Sequence, residues 1–321
     1  MLERAAGGLE LARSCLEGGW TPPAGDDDLV RDFGALGLAE EQGGFGGGMV
    51  DVAIAVEALG RTLVPSRLPA HLAAVQAAAC SGIDVAAALE GRSAWSVALT
   101  EAPAAGPVPA LFGDAVDAVV APSVVGTLLL PARPAEPRSS LDPTRPCAAV
   151  EAGRPAGDGP AADAALRVAV VAAAELCGAG RGAVELGAAY ARDREQFGRP
   201  IGSFQGVAFQ LADAFVAVKA AWDLTLYAAW ALDVGDAAAP ACVHGAKAKA
   251  GQAAVLAAER ALQVHGGIGM TWEADPHLYL RRALFGDAWA GDGRRHRLAL
   301  GRLRVGLEPD EATSRAPLVA E

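Results

Sequence analysis

The sequence predicts a mainly α protein in which an N-terminal helical domain, a small reduced β domain and a C-terminal four-helix bundle follow one another. Three observations carry that reading. Apolar residues make up 52% of the 321 residues and only 20% are charged; the apolar fraction is dominated by Ala, the best helix former and a residue that lets helix backbones approach. Apolar positions recur at helical spacing on both sides of the chain's middle, as at Val52, Ile54, Ala55, Leu59 and Leu63, or at Leu211, Phe215, Val218, Trp222, Leu226 and Ala229. Between these halves the period changes to short β-branched runs separated by Pro and Gly. The expected domains are 1-92, 93-156 and 157-321.

In order along the chain, residues 1-20 predict a short amphipathic helix ended by Gly18-Gly19 and the Thr21-Pro22-Pro23 break. Asp26 to Leu38 restarts as a helix with three acidic residues in its first turn, which suit the macrodipole. After the Gly-rich loop Gly43 to Gly48, Asp51 is placed as the cap of a helix running through Leu63. That loop lacks the Lys-Ser/Thr pair of a P-loop and no strand precedes it, so it reads as a connection. Leu68 to Cys80 is another helix and Asp84 to Leu89 a short one. Trp95 to Thr100, Ala118 to Ala121 and Val124 to Leu130 read as strands, and Cys147 to Val150 is one more apolar run in a stretch rich in Pro, Ala, Gly and Asp. From Asp163 the chain is helical: Leu166 to Asp193, Ser203 to Val234, and Asp236 or Pro240 to Val264. Asp275 to Leu284 with Gly291 to Val305 supply the fourth member of an antiparallel bundle. The tail after Glu308 reads as frayed.

Charge and cysteines exclude several classes of function. The net charge is −11, Lys occurs only at Lys219, Lys247 and Lys249, and no basic run is present, so nucleic acid is not an expected partner. The five cysteines are scattered without a C-x-x-C pair, which points to a reduced, cytoplasmic protein with no metal site. Glu3 and Glu10 interrupt any signal core, and no apolar run reaches about 18 residues free of charge or Pro, so no membrane segment is expected.

Chemistry is concentrated at two places where one long helix hands over to the next. Asp193 to Gln205 reads D-R-E-Q-F-G-R-P-I-G-S-F-Q, and Gln263 to Gly269 reads Q-V-H-G-G-I-G. Arg194 and Arg199 bring fixed cations, and Gly266, Gly267 and Gly269 bring backbone without a Cβ, a combination suited to a pyrophosphate or the edge of a nucleotide. Each has an ordinary alternative: a Gly-rich turn after a helix is also a helix C-cap, and Arg194 by itself is also an exposed helix-end arginine.

With A-K-A-K-A-G at 246-251 and L-Y-L-R-R-A at 278-283 added, the motifs and the domain order resemble the acyl-CoA dehydrogenase superfamily from about Leu29 to Arg304. The resemblance implies an FAD-dependent oxidoreductase that desaturates the Cα–Cβ bond of an acyl-CoA thioester, a carboxylate taking the α-proton while the β-hydride passes to the flavin. It places FAD across a subunit interface. On the matching positions Arg194 would pair with the pyrophosphate, Phe197, Phe204 and Gln205 would line the nucleotide, and Gln263, Gly266 and Gly267 would receive it by backbone approach. An electron-transfer flavoprotein or similar acceptor would take the electrons.

The sequence departs from the family at the base and at the β domain. Where the family commonly carries the Glu of Y-E-G-T, this chain reads Trp289-Ala290-Gly291-Asp292, and the other known base location falls near Val168. Neither position is a carboxylate, so no catalytic base of the usual kind is expected. Glu175, two helical turns beyond Val168, is the one weak replacement, with a packed interhelical bond as its plainer role; Asp292 reads as a helix start. Arg281 and Arg282 read as interface or surface salt-bridge residues. Leu99-Thr100-Glu101 echoes the family's T-E-P, but Ala102 replaces the Pro and the flavin-backing strand is missing. These losses, beside intact nucleotide motifs, resemble the short, base-lacking subunit of bacterial heterotetrameric acyl-CoA dehydrogenases of the steroid-degradation type. There a full-length subunit supplies the base in an α2β2 assembly. The alternatives are a self-sufficient homo-oligomeric flavoenzyme using Glu175, and a non-catalytic scaffold.

Overall fold

The structure is a computed structural model that describes residues 7–102, 106–123, 126–151, 153, 156–157, 159 and 161–306. The first six residues of the expected first helix, the start of the expected strand at Val124 and the tail after Glu308 lie outside the described residues. The chain is mainly α, with the expected succession of helices, a small β region and a helical bundle.

The N-terminal helices are α1 (Gly8–Gly18), α2 (Asp26–Phe33), α3 (Met49–Thr62), α4 (Leu68–Cys80) and α5 (Ala86–Leu89). Helix α2 ends earlier than expected, and the cap of α3 is Gly48 rather than Asp51. Asp51 sits at the third helical position and accepts a hydrogen bond from the Gly48 N–H at 2.9 Å. The next two free N–H groups, of Met49 and Val50, donate to the carboxylate of Asp233 at 2.7 and 3.2 Å. A carboxylate from the far end of another helix thus satisfies donors that the helix itself leaves open.

Among the described residues the β region holds two three-stranded sheets. In one, β1 (Trp95–Val97) runs parallel to β3 (Ala118–Ser123), which forms a hairpin with β4 (Gly126–Pro131). In the other, β6 (Cys147–Val150) lies between β2 (Val108–Leu111) and β5 (Ala135–Arg138), antiparallel to both. Strands β2 and β5 were not legible in the sequence. Each is a four-residue edge strand carrying a proline, and β5 is exposed beyond its first residue, so neither shows the alternation that marks a half-buried strand.

The bundle consists of α6 (Ala161–Asp193), α7 (Gln205–Asp233), α8 (Ala239–His265), α9 (Pro276–Ala288) and α10 (Gly293–Val305), with a hairpin β7 (Glu195–Gln196) and β8 (Arg199–Pro200) between α6 and α7. Helix α6 is its axis, packing along α8, α7 and α9 and receiving α3 and α4 from the N-terminal region. The crossing with α3 is backbone on backbone. A Cβ on Gly60 would lie 2.3 Å from the Glu175 carbonyl oxygen, and one on Gly178 would lie 2.1 Å from that of Glu57, so glycine fixes the approach of the two helices. Along α7, Leu211, Val218 and Ala229 are buried as expected, but Phe215 is 58% exposed. The helix carries apolar residues on its outer side as well, which blurs the stripe that periodicity suggests.

Candidate functional site

The Asp193–Gln205 motif folds as a tight hairpin at the end of α6. The Arg194 N–H donates to the Tyr190 carbonyl at 2.9 Å, and the Ile201 N–H donates to the Arg194 carbonyl at 2.8 Å. Gln196 pairs with Arg199, leaving Phe197 and Gly198 as the two turn residues with φ of 54° and 78°. Both are left-handed, as a two-residue hairpin requires. Glycine meets that demand freely; for phenylalanine it costs about 1–2 kcal/mol. The strained Phe197 ring is also 93% exposed. It meets Phe204 edge-on at 6.2 Å, and the Arg199 guanidinium lies 4.1 Å from the Phe204 ring centre. The result is a small aromatic and cationic platform. Arg194 and Gln205 are exposed beside it, and the Arg194 guanidinium has no hydrogen-bond or ion-pair partner among the described residues.

A stacked ring pair ties the second motif to the first. Tyr190 and His265 lie 4.1 Å apart at an interplanar angle of 20°, and His265 Nδ1 donates to the Ala261 carbonyl at 2.7 Å. Gly266 and Gly267, the next two residues, are exposed, and a Cβ at either would meet nothing within 4 Å. Gln263 is exposed on the last turn of α8. The structure therefore brings Arg194, Phe197, Phe204, Gln205, Gln263, Gly266 and Gly267 to one end of the bundle, on an open surface. Tyr190 and His265 were missed by sequence reasoning. Their sequence signal is position alone: His265 lies within the second motif and Tyr190 one helical turn before the first.

The turn at Ala290 differs in every respect. Trp289 is fully buried, and Ala290 is left-handed with φ 61°. The Ala290 N–H donates to the Leu99 carbonyl at 2.8 Å, and His296 Nε2 donates to the Ala290 carbonyl at 3.0 Å. With Nε2 as donor, His296 Nδ1 accepts from His244 Nδ1 at 2.8 Å. Lys247 Nζ donates to the carbonyls of Asp287 and Gly291 at 3.0 and 2.9 Å. Burial pushes Lys247 down to about 8, and burial with Lys247 and His244 pushes His296 down to about 3. Asp292 caps α10, accepting from the Arg295 N–H at 2.7 Å, as its position suggested. Val168 is buried in the core.

Glu175 lies in a buried ionic cluster. Its Oε1 accepts from Arg145 and, at 3.0 Å, from Arg282. Arg282 Nε donates to Asp142 at 2.5 Å, and Asp142 accepts from the backbone N–H and hydroxyl of Thr144 at 2.9 and 2.6 Å. Burial pushes the Asp142 carboxyl upward, but Arg282 and Arg145 outweigh it and hold Asp142 below the usual carboxylate range. Two guanidiniums and two carboxylates balance one another, each residue at most 2% exposed. Arg282 is thus not at the surface, contrary to the sequence expectation; it spans 140 residues of sequence to fasten the 142–145 loop to α6 and α9. Arg281 does lie outside, donating to the Leu141 carbonyl at 3.0 Å.

Residues 163–303 match the acyl-CoA dehydrogenase C-terminal domain family. The acyl-CoA dehydrogenase IpdE2 of Mycobacterium tuberculosis is 37% identical over 254 residues, covering 78% of this chain and 76% of that protein. IpdE2 of Mycolicibacterium smegmatis is 34% identical over 256 residues, with 78% and 77% covered. Among solved structures, the ChsE4-ChsE5 complex of Mycobacterium tuberculosis contains a chain that superposes with a TM-score of 0.74 at 24% identity, over 96% of this chain and 98% of its own. A chain of the Tcur3481-Tcur3483 steroid ACAD gives 0.74 at 24% identity over 95% and 99%. These two likenesses show the fold.

Proposed function

The chain belongs to the acyl-CoA dehydrogenase family, and from that premise we propose that it is the base-lacking subunit of a two-component enzyme, completing the FAD site of a full-length partner. Members of this family bind FAD and oxidise acyl-CoA substrates. The carrying observation is the contrast between the two motifs that meet, outward-facing, at one end of the bundle and the alanine at position 290.

The residues at the nucleotide end fit the pyrophosphate and adenosine half of that cofactor. Arg194 offers an uncommitted bidentate cation, Gly266 and Gly267 offer backbone that nothing covers, and Phe197 and Phe204 offer ring faces and edges. Gln205 and Gln263 supply amide donors and acceptors at the rim. The flavin-ring half does not fit this chain, whose β1 is three residues long and is followed by Ala102. In the assembled enzyme the bound flavin would accept a hydride from the β-carbon. This chain's contribution is to hold the cofactor's anionic end and exclude water from it. Removal of the α-proton belongs to the partner's carboxylate.

Glu175 is read as structural, since both of its guanidinium partners hold it inside the ionic cluster. The proposed assembly is α2β2, the location cytoplasmic, the acceptor an electron-transfer flavoprotein or similar protein, and the substrate a CoA thioester from steroid breakdown. That class follows the relatives, one of which is named a steroid ACAD. The test is the flavin content of the complex co-purified with its full-length partner. Arg194→Ala is expected to reduce retained flavin at least about tenfold, the scale of one lost charge-assisted phosphate contact. Unchanged flavin in a folded Arg194→Ala complex would refute the assignment and favour a scaffold role.

A further inference from the structure

The turn that follows α8 carries three glycines, and they do not serve one purpose. Gly266 and Gly267 are exposed, whereas Gly269 is buried. A Cβ on Gly269 would lie 2.9 Å from the Cβ of His265 and 2.9 Å from the Leu262 carbonyl oxygen. A larger residue would have to push these atoms away, so glycine lets the single turn Gly266–Met270 fold back against His265. The histidine is left 8% exposed, between the two motifs.

Three contacts fix the His265 ring. Nδ1 lies 2.7 Å from the Ala261 carbonyl oxygen, which can only accept, so Nδ1 carries the proton. Tyr190 covers one face of the ring at 4.1 Å and 20°. The Gly269 turn closes on the Cβ stem. Flipping the ring would exchange the Nδ1 hydrogen bond for a C–H against the same carbonyl. With its proton on Nδ1, the neutral ring keeps a lone pair on Nε2. That atom has no hydrogen-bond partner among the described residues and is not sealed from solvent. It is a preset acceptor beside Gly266, and Tyr190, which backs it, also holds the Arg194 N–H through its own carbonyl at 2.9 Å.

We propose that His265 recognises the nucleoside: Nε2 accepts a hydrogen bond from the adenosine half of the cofactor, with Tyr190 and Gly269 as its positioning residues. The role given to His265 rests on FAD lying at this end of the bundle. Phosphate oxygens only accept, so they suit the Arg194 guanidinium and the N–H groups of Gly266 and Gly267, and the Nε2 lone pair cannot serve them. The donors on adenosine are the adenine amino group and the ribose hydroxyls. Gln205 and Gln263 can turn either end of an amide to a ligand, whereas the fixed Nε2 lone pair selects a donor.

The experiment measures binding to the complex of this chain with its full-length partner, stripped of flavin and titrated by the quenching of flavin fluorescence. The titrants are FAD, its hypoxanthine analogue, which lacks the amino group, and its 2′-deoxy and 3′-deoxyadenosine analogues, which each lack one hydroxyl. His265→Phe keeps a ring against Tyr190 but has no lone pair, and is expected to weaken FAD about threefold to tenfold, the scale of one neutral hydrogen bond. One analogue is expected to bind the parent complex more weakly by a similar factor and to bind the His265→Phe complex as FAD does, which identifies the donor. His265→Gln, which restores an acceptor, is expected to recover part of the loss. Tyr190→Phe is expected to bind like the parent, and Tyr190→Leu to weaken FAD less than His265→Phe does. If the His265→Phe complex does not assemble, His265→Leu replaces it in the series. Parent-like FAD binding by the variant, or an equal weakening of all four titrants, would overturn the proposal, the second by making His265 structural. Arg194→Ala separates the two readings: flavin lost there and retained in His265→Phe sinks only the role of His265, whereas flavin retained in both refutes the cofactor site itself.

Discussion

Phe197 and Ala290 share a rare backbone conformation and nothing else. Both are non-glycine residues with φ near +55° to +60°. Phe197 stands at the tip of a hairpin, its ring in solvent; Ala290 is held by Leu99 and His296 through its own amide and carbonyl, with Lys247 gripping the residues around it. At Ala290 the main chain carries the shape, so the side chain at that position can vary without cost to the fold. At Phe197 the side chain is strained into solvent, where it meets the Phe204 ring edge-on. We propose that the strain at Ala290 is inherited with the fold and that the strain at Phe197 serves the cofactor end.

The largest expected effect concerns what lies beneath both sites. Glu175→Ala leaves Arg145 and Arg282 buried against each other and should destabilise the fold by about 3–5 kcal/mol in chemical denaturation. Should a folded Glu175→Gln complex lose turnover while keeping its stability and its flavin, the ionic-cluster reading would fail and Glu175 would return as a base.

Acid should separate the two regions next. His296 has a folded value of about 3 against 6.5 for the free side chain. The folded state therefore binds fewer protons than the unfolded chain between those values. Stability from the neutral ring is present above about pH 6.5 and is lost as pH falls toward 3. His296→Gln should flatten that part of the stability profile, whereas Phe197→Gly should leave its slope unchanged. An identical acid profile in His296→Gln would remove His296 from the account of the Ala290 turn.

The smallest effect is the most discriminating. Glycine at either strained position relieves left-handed backbone at some cost in chain entropy, so Phe197→Gly and Ala290→Gly should each raise stability by up to about 1 kcal/mol. Only Phe197→Gly should lower the flavin content of the assembled complex. Equal flavin loss in both would erase the proposed distinction between inherited and used strain.

How much of this was legible depended on distance in sequence. The long helices of the bundle announced themselves through apolar spacing, and the hairpin and Gly-Gly motifs through their residues. The proximity of the two motifs rests on Tyr190 against His265, 75 residues apart, which no local pattern encodes. Arg282 was misplaced at the surface for the same reason: its partners Asp142, Thr144 and Glu175 lie 107 to 140 residues away. Asp51 was taken for a cap because capping residues usually precede a helix, whereas here Gly48 and a distant Asp233 share that role. Strands β2 and β5 were hidden by their shortness and their prolines, which break the alternation of a half-buried strand.

We propose that this chain holds one end of a cofactor whose other end belongs to a different subunit. The most direct measurement is the flavin-to-protein ratio of the chain purified alone and again after co-purification with a full-length family member. A colourless chain that becomes a yellow mixed complex, with about one flavin per pair of chains, is the predicted result. A yellow chain that oxidises acyl-CoA by itself would contradict the account, since its flavin ring and base would then both lie within one kind of subunit.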